Sequence, residues 1–153
     1  MINRLAILVF VAAATTACAN DAPSPAAFDA VHEPCRFCRM TGSNGRTAAQ
    51  LVAPGQEPLF FDDLGCLRGY LKQTGTVAST AVVYVADHRT GAWVAADRAL
   101  YTRNEAVSTP MGSHLIAHES AESRDADPDA RGGSAVSISD VFSGVPVPRS
   151  PDK

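Results

Sequence analysis

The chain has no cluster of Lys and Arg residues and no apolar run long enough to span a membrane. Its 13 basic side chains are scattered and are outnumbered by 16 acidic ones, which gives a net charge of -3. Nucleic-acid binding needs basic patches that neutralise phosphates, so no nucleic-acid partner is expected. The apolar stretch Leu5 to Ala14 falls well short of the roughly 20 residues of a membrane-spanning helix. A permanent transmembrane segment is therefore excluded by length.

This short apolar stretch instead has the arrangement of a bacterial signal peptide. Arg4 precedes it, and the small residues of the segment 15–17 separate it from Cys18. Small residues directly before a cysteine are typical of lipoprotein signal peptides. We therefore expect residues 1–17 to be removed and Cys18 to be acylated. Several acyl chains would anchor the protein stably, since each buried methylene contributes about 0.8 kcal/mol.

The predicted location follows from this anchor. An exported lipoprotein faces the periplasm, and Ala19 directly after Cys18 favours the outer membrane over the inner membrane. Thr15 stands where leucine is usual in such signals. Cleavage by the ordinary signal peptidase, with release of an unanchored protein, is the alternative.

Cysteines are scarce, and their number is informative. The four lie at Cys18, Cys35, Cys38 and Cys66. Lipidation would use one and leave three, an odd number, in a compartment where paired thiols normally oxidise. A purely structural set of disulfides is therefore not expected, and at least one thiol should have another purpose.

Composition divides the remaining chain into three parts. Residues 18–33 are rich in Ala, Pro, Ser and Asp and are predicted to form a flexible tether between lipid and domain. Residues 34–144 should form one domain, for which this length is sufficient. Residues 145–153 contain three prolines and are predicted to be a disordered tail.

The first half of the domain has a clear pattern of strands and one helix. Two short β-prone runs around a Pro-Gly turn predict a hairpin, a helix capped by Asp62 or Asp63 and closed by Gly75 should follow, and then a buried strand. The runs are Thr47 to Val52, Pro58 to Phe61 and, for the strand after the helix, Ala81 to Ala86. Leu64, Leu67 and Leu71 fall on one face of the helix.

The same order recurs less clearly in the second half. Predicted strands lie at Trp93 to Ala95, Leu100 to Thr102 and Leu115 to Ala117, and Ser120 to Arg131 is either a weak short helix or a mobile acidic loop. The expected fold class is therefore α+β, with two related strand–strand–helix–strand modules and small antiparallel or mixed sheets.

Sulfur is concentrated at the start of the domain, where Cys35, Cys38 and Met40 lie within six residues. Thiolate and thioether are soft donors that select Cu(I). A further soft donor is Met111, which lies in a separate loop between Pro110 and Gly112 and is therefore less suited to a buried core position. Cys35, Cys38, Met40 and Met111 are the predicted metal ligands.

Several alternatives remain open at this stage. Zinc would need Cys35, Cys38, Cys66 and one histidine, chosen from His32, His88, His114 and His118. A thioredoxin-like redox pair should lie between a strand and a helix, and the glycine-rich context here argues against it. A plain disulfide between the first two cysteines is also possible. Cys66 alone is more often a small buried hydrophobe, and Asp62 and Asp63 more often cap a helix than form an acid/base pair.

An ordered set of motifs resembles the NosL family, the lipoprotein accessory proteins of nitrous oxide reductase. The motifs are Cys35-x-x-Cys38-x-Met40, Phe60-Phe61-Asp62 to Tyr70, Tyr84-Val85-Ala86-Asp87 with Thr90-Gly91-x-Trp93, Ala99-x-Tyr101, and Thr109-Pro110-Met111-Gly112. The resemblance covers roughly residues 34 to 118. One departure is Arg39, which stands where the family usually has glycine.

The resemblance implies a Cu(I)-binding chaperone that serves nitrous oxide reductase and its copper-assembly machinery, and not an enzyme. It also implies a fold similar to that of the organomercurial lyase MerB. A MerB-like enzyme that cleaves carbon–mercury bonds with two thiols and an acid is therefore a competing hypothesis, with Cys66 and Asp63 as its candidates. The two methionines have a role in a copper carrier and none in such an enzyme.

Overall fold

The computed structural model describes residues 22–41 and 45–150. Two small antiparallel sheets and three α-helices make up this part, so the α+β class is confirmed. The first sheet has the order β2-β1-β3-β4 and the second has the order β6-β5-β7. The strands are β1 Ala49–Val52, β2 Leu59–Phe61, β3 Val82–Ala86, β4 Trp93–Ala95, β5 Leu100–Arg103, β6 Leu115–His118 and β7 Ser134–Val136. The helices are α1 Leu64–Thr74, α2 Ala121–Ala126 and α3 Ile138–Val141, with a short 3-10 helix at Pro128–Ala130.

The predicted hairpin and helix of the first half are confirmed. β1 pairs with β2 in antiparallel register, with Ala49 opposite Phe61. Helix α1 begins after Asp63, whose side chain caps it, and ends at Gly75, whose φ of 77° is left-handed. The three leucines of its apolar face are buried, and each such burial contributes roughly 1.5–3 kcal/mol.

The first sheet is covered on both faces, because its strands alternate between two sets of neighbours. Ala49 and Leu51 of β1 belong to the same buried core as the leucines of α1. Gln50 points the other way, and its side chain exchanges hydrogen bonds with the backbone of Ala26 at 2.8 and 3.3 Å. The N-terminal segment therefore covers the face opposite to α1.

This N-terminal segment lies within the part of the chain predicted to be a tether. The Phe28 ring stacks on Phe60 with 4.9 Å between centroids, and Tyr84 donates a hydrogen bond to the Pro23 carbonyl at 2.8 Å. At the other end, Val145 and Val147 pack against the core. Residues on both sides of the predicted domain limits of 34–144 therefore pack against the domain. The division of the chain into tether, domain and tail stays a prediction.

The second half differs from the sequence prediction in two respects. β4 was assigned to the second unit but pairs with β3, so it closes the first sheet. β7 was not predicted, and it pairs with β5. The region 120–131 contains a short helix, α2, which was one of the two predicted alternatives. In each sheet the strand that comes first in the chain, β1 or β5, is an inner strand. That the two halves are related modules, and that they resemble MerB, stays a prediction.

The two sheets meet where β3 and β6 end. Asp87 and Ala117 form a parallel bridge, and the amide of His88 donates to the Ala117 carbonyl at 2.8 Å. Tyr101 of β5 donates to the Ala96 carbonyl at 2.7 Å and contacts Phe142 edge to face. The halves therefore share one core.

In the described ranges 22–41 and 45–150, no helix has the length and hydrophobicity needed to cross a bilayer.

Candidate metal centre

Four side chains from three segments converge beside the first turn of α1. Cys35, Cys38, Asp62 and Cys66 each offer a ligand atom, and these atoms all lie within 4.8 Å of one another. We call this group the cysteine cluster. Cys35 and Cys66 are 2% and 1% exposed, whereas Cys38 is only partly buried. The cluster is thus buried on one side and reaches solvent through Cys38.

The Cys35–Met40 loop is closed on itself and attached to the sheet. The Cys35 amide donates to the Met40 carbonyl at 2.8 Å, and the Arg39 amide donates to the Cys35 carbonyl at 3.0 Å. The Arg36 amide donates to the Phe60 carbonyl of β2 at 2.7 Å. These bonds fix the two thiols of the loop relative to Asp62, which follows β2 directly.

A close approach to α1 fixes the other side of the loop. The Phe37 ring lies against Gly69, and a Cβ at that position would come within 2.6 Å of the ring. Any larger residue at position 69 would push the loop away from the helix. Since Cys66 lies one turn earlier on α1, the contact brings Cys66 to the two cysteines of the loop.

Arg39 has a φ of 67°, a left-handed conformation that glycine adopts freely. The resemblance described above implies glycine at this position, and this backbone conformation gives a physical reason for it. For a residue with a side chain, this conformation costs on the order of 1–2 kcal/mol. The loop therefore keeps its shape with arginine at some cost in stability.

The three thiols have different acidities because Cys35 and Cys66 are hydrogen-bonded to each other and because burial acts on all three. The Cys66 thiol donates to Cys35 and, against the effect of burial, lowers the pKa of Cys35 to about 6. The same bond, together with burial and Asp62, raises the pKa of Cys66 far above its ordinary value. Burial raises the pKa of Cys38 to about 11. At neutral pH the cluster therefore holds one thiolate, on Cys35, and two neutral thiols.

The protonated Cys38 thiol points to the carboxylate of Asp62. Its Sγ lies 3.5 Å from Oδ2 and 3.7 Å from Oδ1. Since a metal binds thiolate and not thiol, binding would release the Cys38 proton beside a carboxylate that is close enough to accept it. A preformed thiolate, a second thiol with a nearby proton acceptor and a third sulfur together form a site that can hold a thiophilic metal ion.

The two predicted methionine ligands lie at the surface, with Met40 43% and Met111 48% exposed. The loop that carries Met111 is attached to the start of α1, where its amide donates to Asp63 Oδ2 at 2.9 Å. A Cβ at Gly65 would lie 3.1 Å from the Cβ of Ser113 in that loop, so glycine permits the close contact. Sequence-distant Met111 thus lies near the helix turn that carries Cys66. Ligation by either methionine stays a prediction.

The predicted ligand set leaves out two members of the cluster, Cys66 and Asp62, although the zinc alternative included Cys66. Cys66 was assigned more readily to the core, and Asp62 to helix capping, which Asp63 alone performs. The three described cysteines are free thiols. The histidines have other partners: His32 contacts Asp29, His114 contacts the Val107 carbonyl and Glu105, and His88 and His118 both contact Asp127. Within the described ranges, Asp62 and no histidine completes the cysteine cluster.

A cysteine cluster that could hold a metal ion, on an α+β domain, is the arrangement of a metal-binding protein. The NosL family model matches residues 18–145, which is most of the chain, and the protein belongs to the NosL family. No curated protein and no solved structure matches the chain. Family membership and the cysteine cluster together indicate a metal-binding protein with a copper-related function.

Proposed function

We propose that this protein is a membrane-anchored Cu(I) chaperone that delivers copper to periplasmic nitrous oxide reductase and its copper-assembly machinery. The convergence of Cys35, Cys38 and Cys66 on one point carries this proposal. Three sulfurs suit Cu(I), the softest of the common biological metal ions. Membership of the NosL family supports copper as the cargo.

The exposure of the donors suits transfer rather than storage. A carrier must release its ion to a partner, so part of the site has to be reachable from outside. Cys38 is partly exposed, and the thioethers of Met40 and Met111 are about half exposed. Phe37, also 40% exposed, adds apolar surface beside the loop on which a client protein can dock. The acidic net charge gives no reason to expect nucleic acid as a partner.

The metal specificity can be tested on the purified full chain. We expect one Cu(I) per chain, bound in a low-coordinate sulfur shell and preferred to Zn(II). X-ray absorption and competition with a Cu(I) chelator measure both properties. Met40→Leu and Met111→Leu report on the two thioethers. A four-coordinate zinc shell that retains its affinity in both methionine variants would contradict the proposal.

The anchor is a separate part of the proposal, and Cys18 lies outside the described residues. The apolar run that ends at this cysteine supports export and lipidation, and Ala19 directly after it favours the outer membrane over the inner membrane. We expect the protein to incorporate labelled palmitate in a bacterial host and Cys18→Ser to abolish the label. Cys66→Ser is the matched control, because it removes a thiol that is not at the cleavage site. Release of unlabelled wild-type protein as a soluble periplasmic species would contradict the anchor.

The cluster also favours a second candidate function, thiol-dependent cleavage of carbon–mercury bonds. The acid in that reaction would be Asp62 and not Asp63, because both carboxylate oxygens of Asp63 are occupied by backbone amides. A thiolate at Cys35 and a neutral thiol at Cys66 are the other requirements. Turnover of an organomercurial by the metal-free chain, lost in Asp62→Asn, would favour this function over the carrier.

A further inference from the structure

A second group of possible metal ligands lies where the two sheets meet. His88 follows β3, His118 ends β6, and Asp127 lies between α2 and the 3-10 helix. These three residues are nearly inaccessible to solvent, at 8%, 0% and 4% exposed. We call them the histidine cluster. It shares no residue with the cysteine cluster and contains no sulfur.

One carboxylate oxygen holds both rings in this cluster. Asp127 Oδ2 lies 2.8 Å from His88 Nδ1 and 2.8 Å from His118 Nε2, and the three ligand atoms lie within 4.8 Å of one another. The other oxygen, Oδ1, accepts a hydrogen bond from the Asp129 amide at 3.0 Å. This hydrogen bond fixes the orientation of the carboxylate, as hydrogen bonds behind the ligands of metal sites fix the residues that bind the ion.

A fourth donor is available on the solvent side. Asp129 Oδ2 lies 4.0 Å from His88 Nδ1, and its side chain is 60% exposed. Three buried donors with one side accessible to an exposed carboxylate or to water match a site with three protein ligands and an open position. Two imidazoles and a carboxylate suit Zn²⁺ and similar divalent ions, whereas Cu(I) prefers sulfur.

We propose that His88, His118 and Asp127 form a divalent metal site, with Zn²⁺ as the representative ion. The ion would take the place of the two hydrogens that the rings now donate to Asp127 Oδ2. Each neutral ring would then carry its hydrogen on the other nitrogen, so that no proton needs to leave the protein. The 2.8 Å separations would widen to accommodate metal–ligand bonds of about 2.0–2.2 Å.

The ring of His118 limits the affinity of this site. Its Nδ1 is buried and has no hydrogen-bond partner. In the metal-bound form that nitrogen would carry the ring hydrogen without an acceptor, although ligating histidines usually have one. We therefore expect an exchangeable ion and not the permanent one of a closed structural zinc site.

Metal binding at this position has a structural consequence that can be measured. The three ligands come from the turn after β3, the last residue of β6 and the residue after α2, and so the ion would hold the two sheets together at the Asp87–Ala117 bridge. An ion that binds only the folded state raises the unfolding temperature. Zn²⁺ should therefore stabilise the full chain even when the cysteines cannot bind it.

The test removes the sulfur site first. In the full chain with Cys35→Ser, Cys38→Ser and Cys66→Ser, we expect one equivalent of Co²⁺ to bind with visible bands and no thiolate charge-transfer band. Asp127→Asn should weaken that binding by on the order of 100-fold or more, since loss even of an outer-shell partner costs 10- to 100-fold. Asp125→Asn is the matched control, because this exposed aspartate on the same segment contacts Arg124 and not the cluster.

A second measurement does not use the serine variant and is therefore informative even if that variant misfolds. In the chain with its cysteines intact, the rise in unfolding temperature on addition of Zn²⁺ should be smaller in Asp127→Asn than in Asp125→Asn. Absence of Co²⁺ binding by a folded serine variant would overturn the proposal. Equal Co²⁺ affinity, or an equal thermal shift, in the two aspartate variants would also overturn it and leave the cluster as a hydrogen-bonded contact between the sheets.

Discussion

Cys35→Ser should lower the affinity for Cu(I) more than any other single substitution in the chain. Cys35 is the thiolate of the cluster at neutral pH, because the Cys66 thiol donates to it and lowers its pKa to about 6. Replacement by a hydroxyl removes both the charge and the soft donor. We expect the affinity to fall by on the order of 100-fold or more, which is a larger loss than removal of a residue that only hydrogen-bonds to a metal ligand usually causes. Competition with a Cu(I) chelator at pH 7 measures it.

Variants of Cys66 show whether this residue binds the ion or only supports Cys35. A serine at position 66 can still donate a hydrogen bond, whereas an alanine cannot. If Cys66 is a ligand, both variants should lose affinity to a similar extent. If it only supports Cys35, Cys66→Ser should remain close to wild type and Cys66→Ala should raise the pKa of the Cys35 thiol. Near-normal affinity in Cys35→Ser would place the copper site outside the cysteine cluster.

The same pKa values set the direction of the pH dependence. Cys35 is already ionised above about pH 6, so its proton contributes little to the change above neutrality. The pKa of Cys38 is raised to about 11, and its proton must leave if Cys38 binds the metal. Apparent Cu(I) affinity should therefore continue to rise with pH between 7 and 9. Cys38→Ser should make this rise less steep, because one fewer thiol proton is then released on binding.

The fold was predictable from sequence wherever the signal is local. The Asp63 cap, the leucine spacing and Gly75 define α1 because each acts within a few residues of the helix. The partner of a short strand has no such signal. β4 contains only three residues, and its hydrogen bonds are to β3, an element that no local pattern in β4 identifies. Its assignment to the second unit was wrong for that reason.

The candidate site was predictable only in part for the same reason. The spacing of Cys35 and Cys38 marks them directly. Asp62 joins them through the hydrogen bond from the Arg36 amide to the Phe60 carbonyl, and Cys66 through the tertiary contact between Phe37 and Gly69. The sequence does contain one indication of this tertiary contact, a glycine inside α1. A glycine inside a helix costs about 1 kcal/mol relative to alanine, so Gly69 indicates that another segment approaches α1 closely. His88, His118 and Asp127 have no comparable local pattern.

Asp63 connects the stability of the domain with the position of Met111. It is fully buried, accepts from the Gly65 amide as the N-cap of α1, and accepts from the Met111 amide at 2.9 Å through its other oxygen. Burial opposes its ionisation, but hydrogen bonds from Thr109, Ser113 and the two amides outweigh this effect and lower its pKa. One carboxylate therefore holds both the helix and the Pro-Met-Gly loop.

Asp63→Ala should destabilise the fold by on the order of 2–4 kcal/mol, since loss of an N-cap costs about 0.5–2 kcal/mol and unpaired buried donors about 1–3 kcal/mol. Urea denaturation at pH 7 measures the change in the free energy of unfolding. Asp97→Ala, at an exposed position in the turn after β4, is the control and should stay within about 0.5 kcal/mol of wild type.

The acid dependence gives an independent check of the same contact. A carboxylate with a lowered pKa stabilises the folded state above its unfolded pKa of about 3.9, and this stabilisation is lost as the pH falls through the folded value. Asp63→Ala should lack that part of the acid-induced loss of stability, whereas Asp97→Ala should retain it. If Met111 is a copper ligand, release of its loop should also weaken Cu(I) binding in Asp63→Ala by about the factor seen in Met111→Leu. A folded Asp63→Ala protein with unchanged stability and wild-type acid dependence would show that other contacts hold the loop.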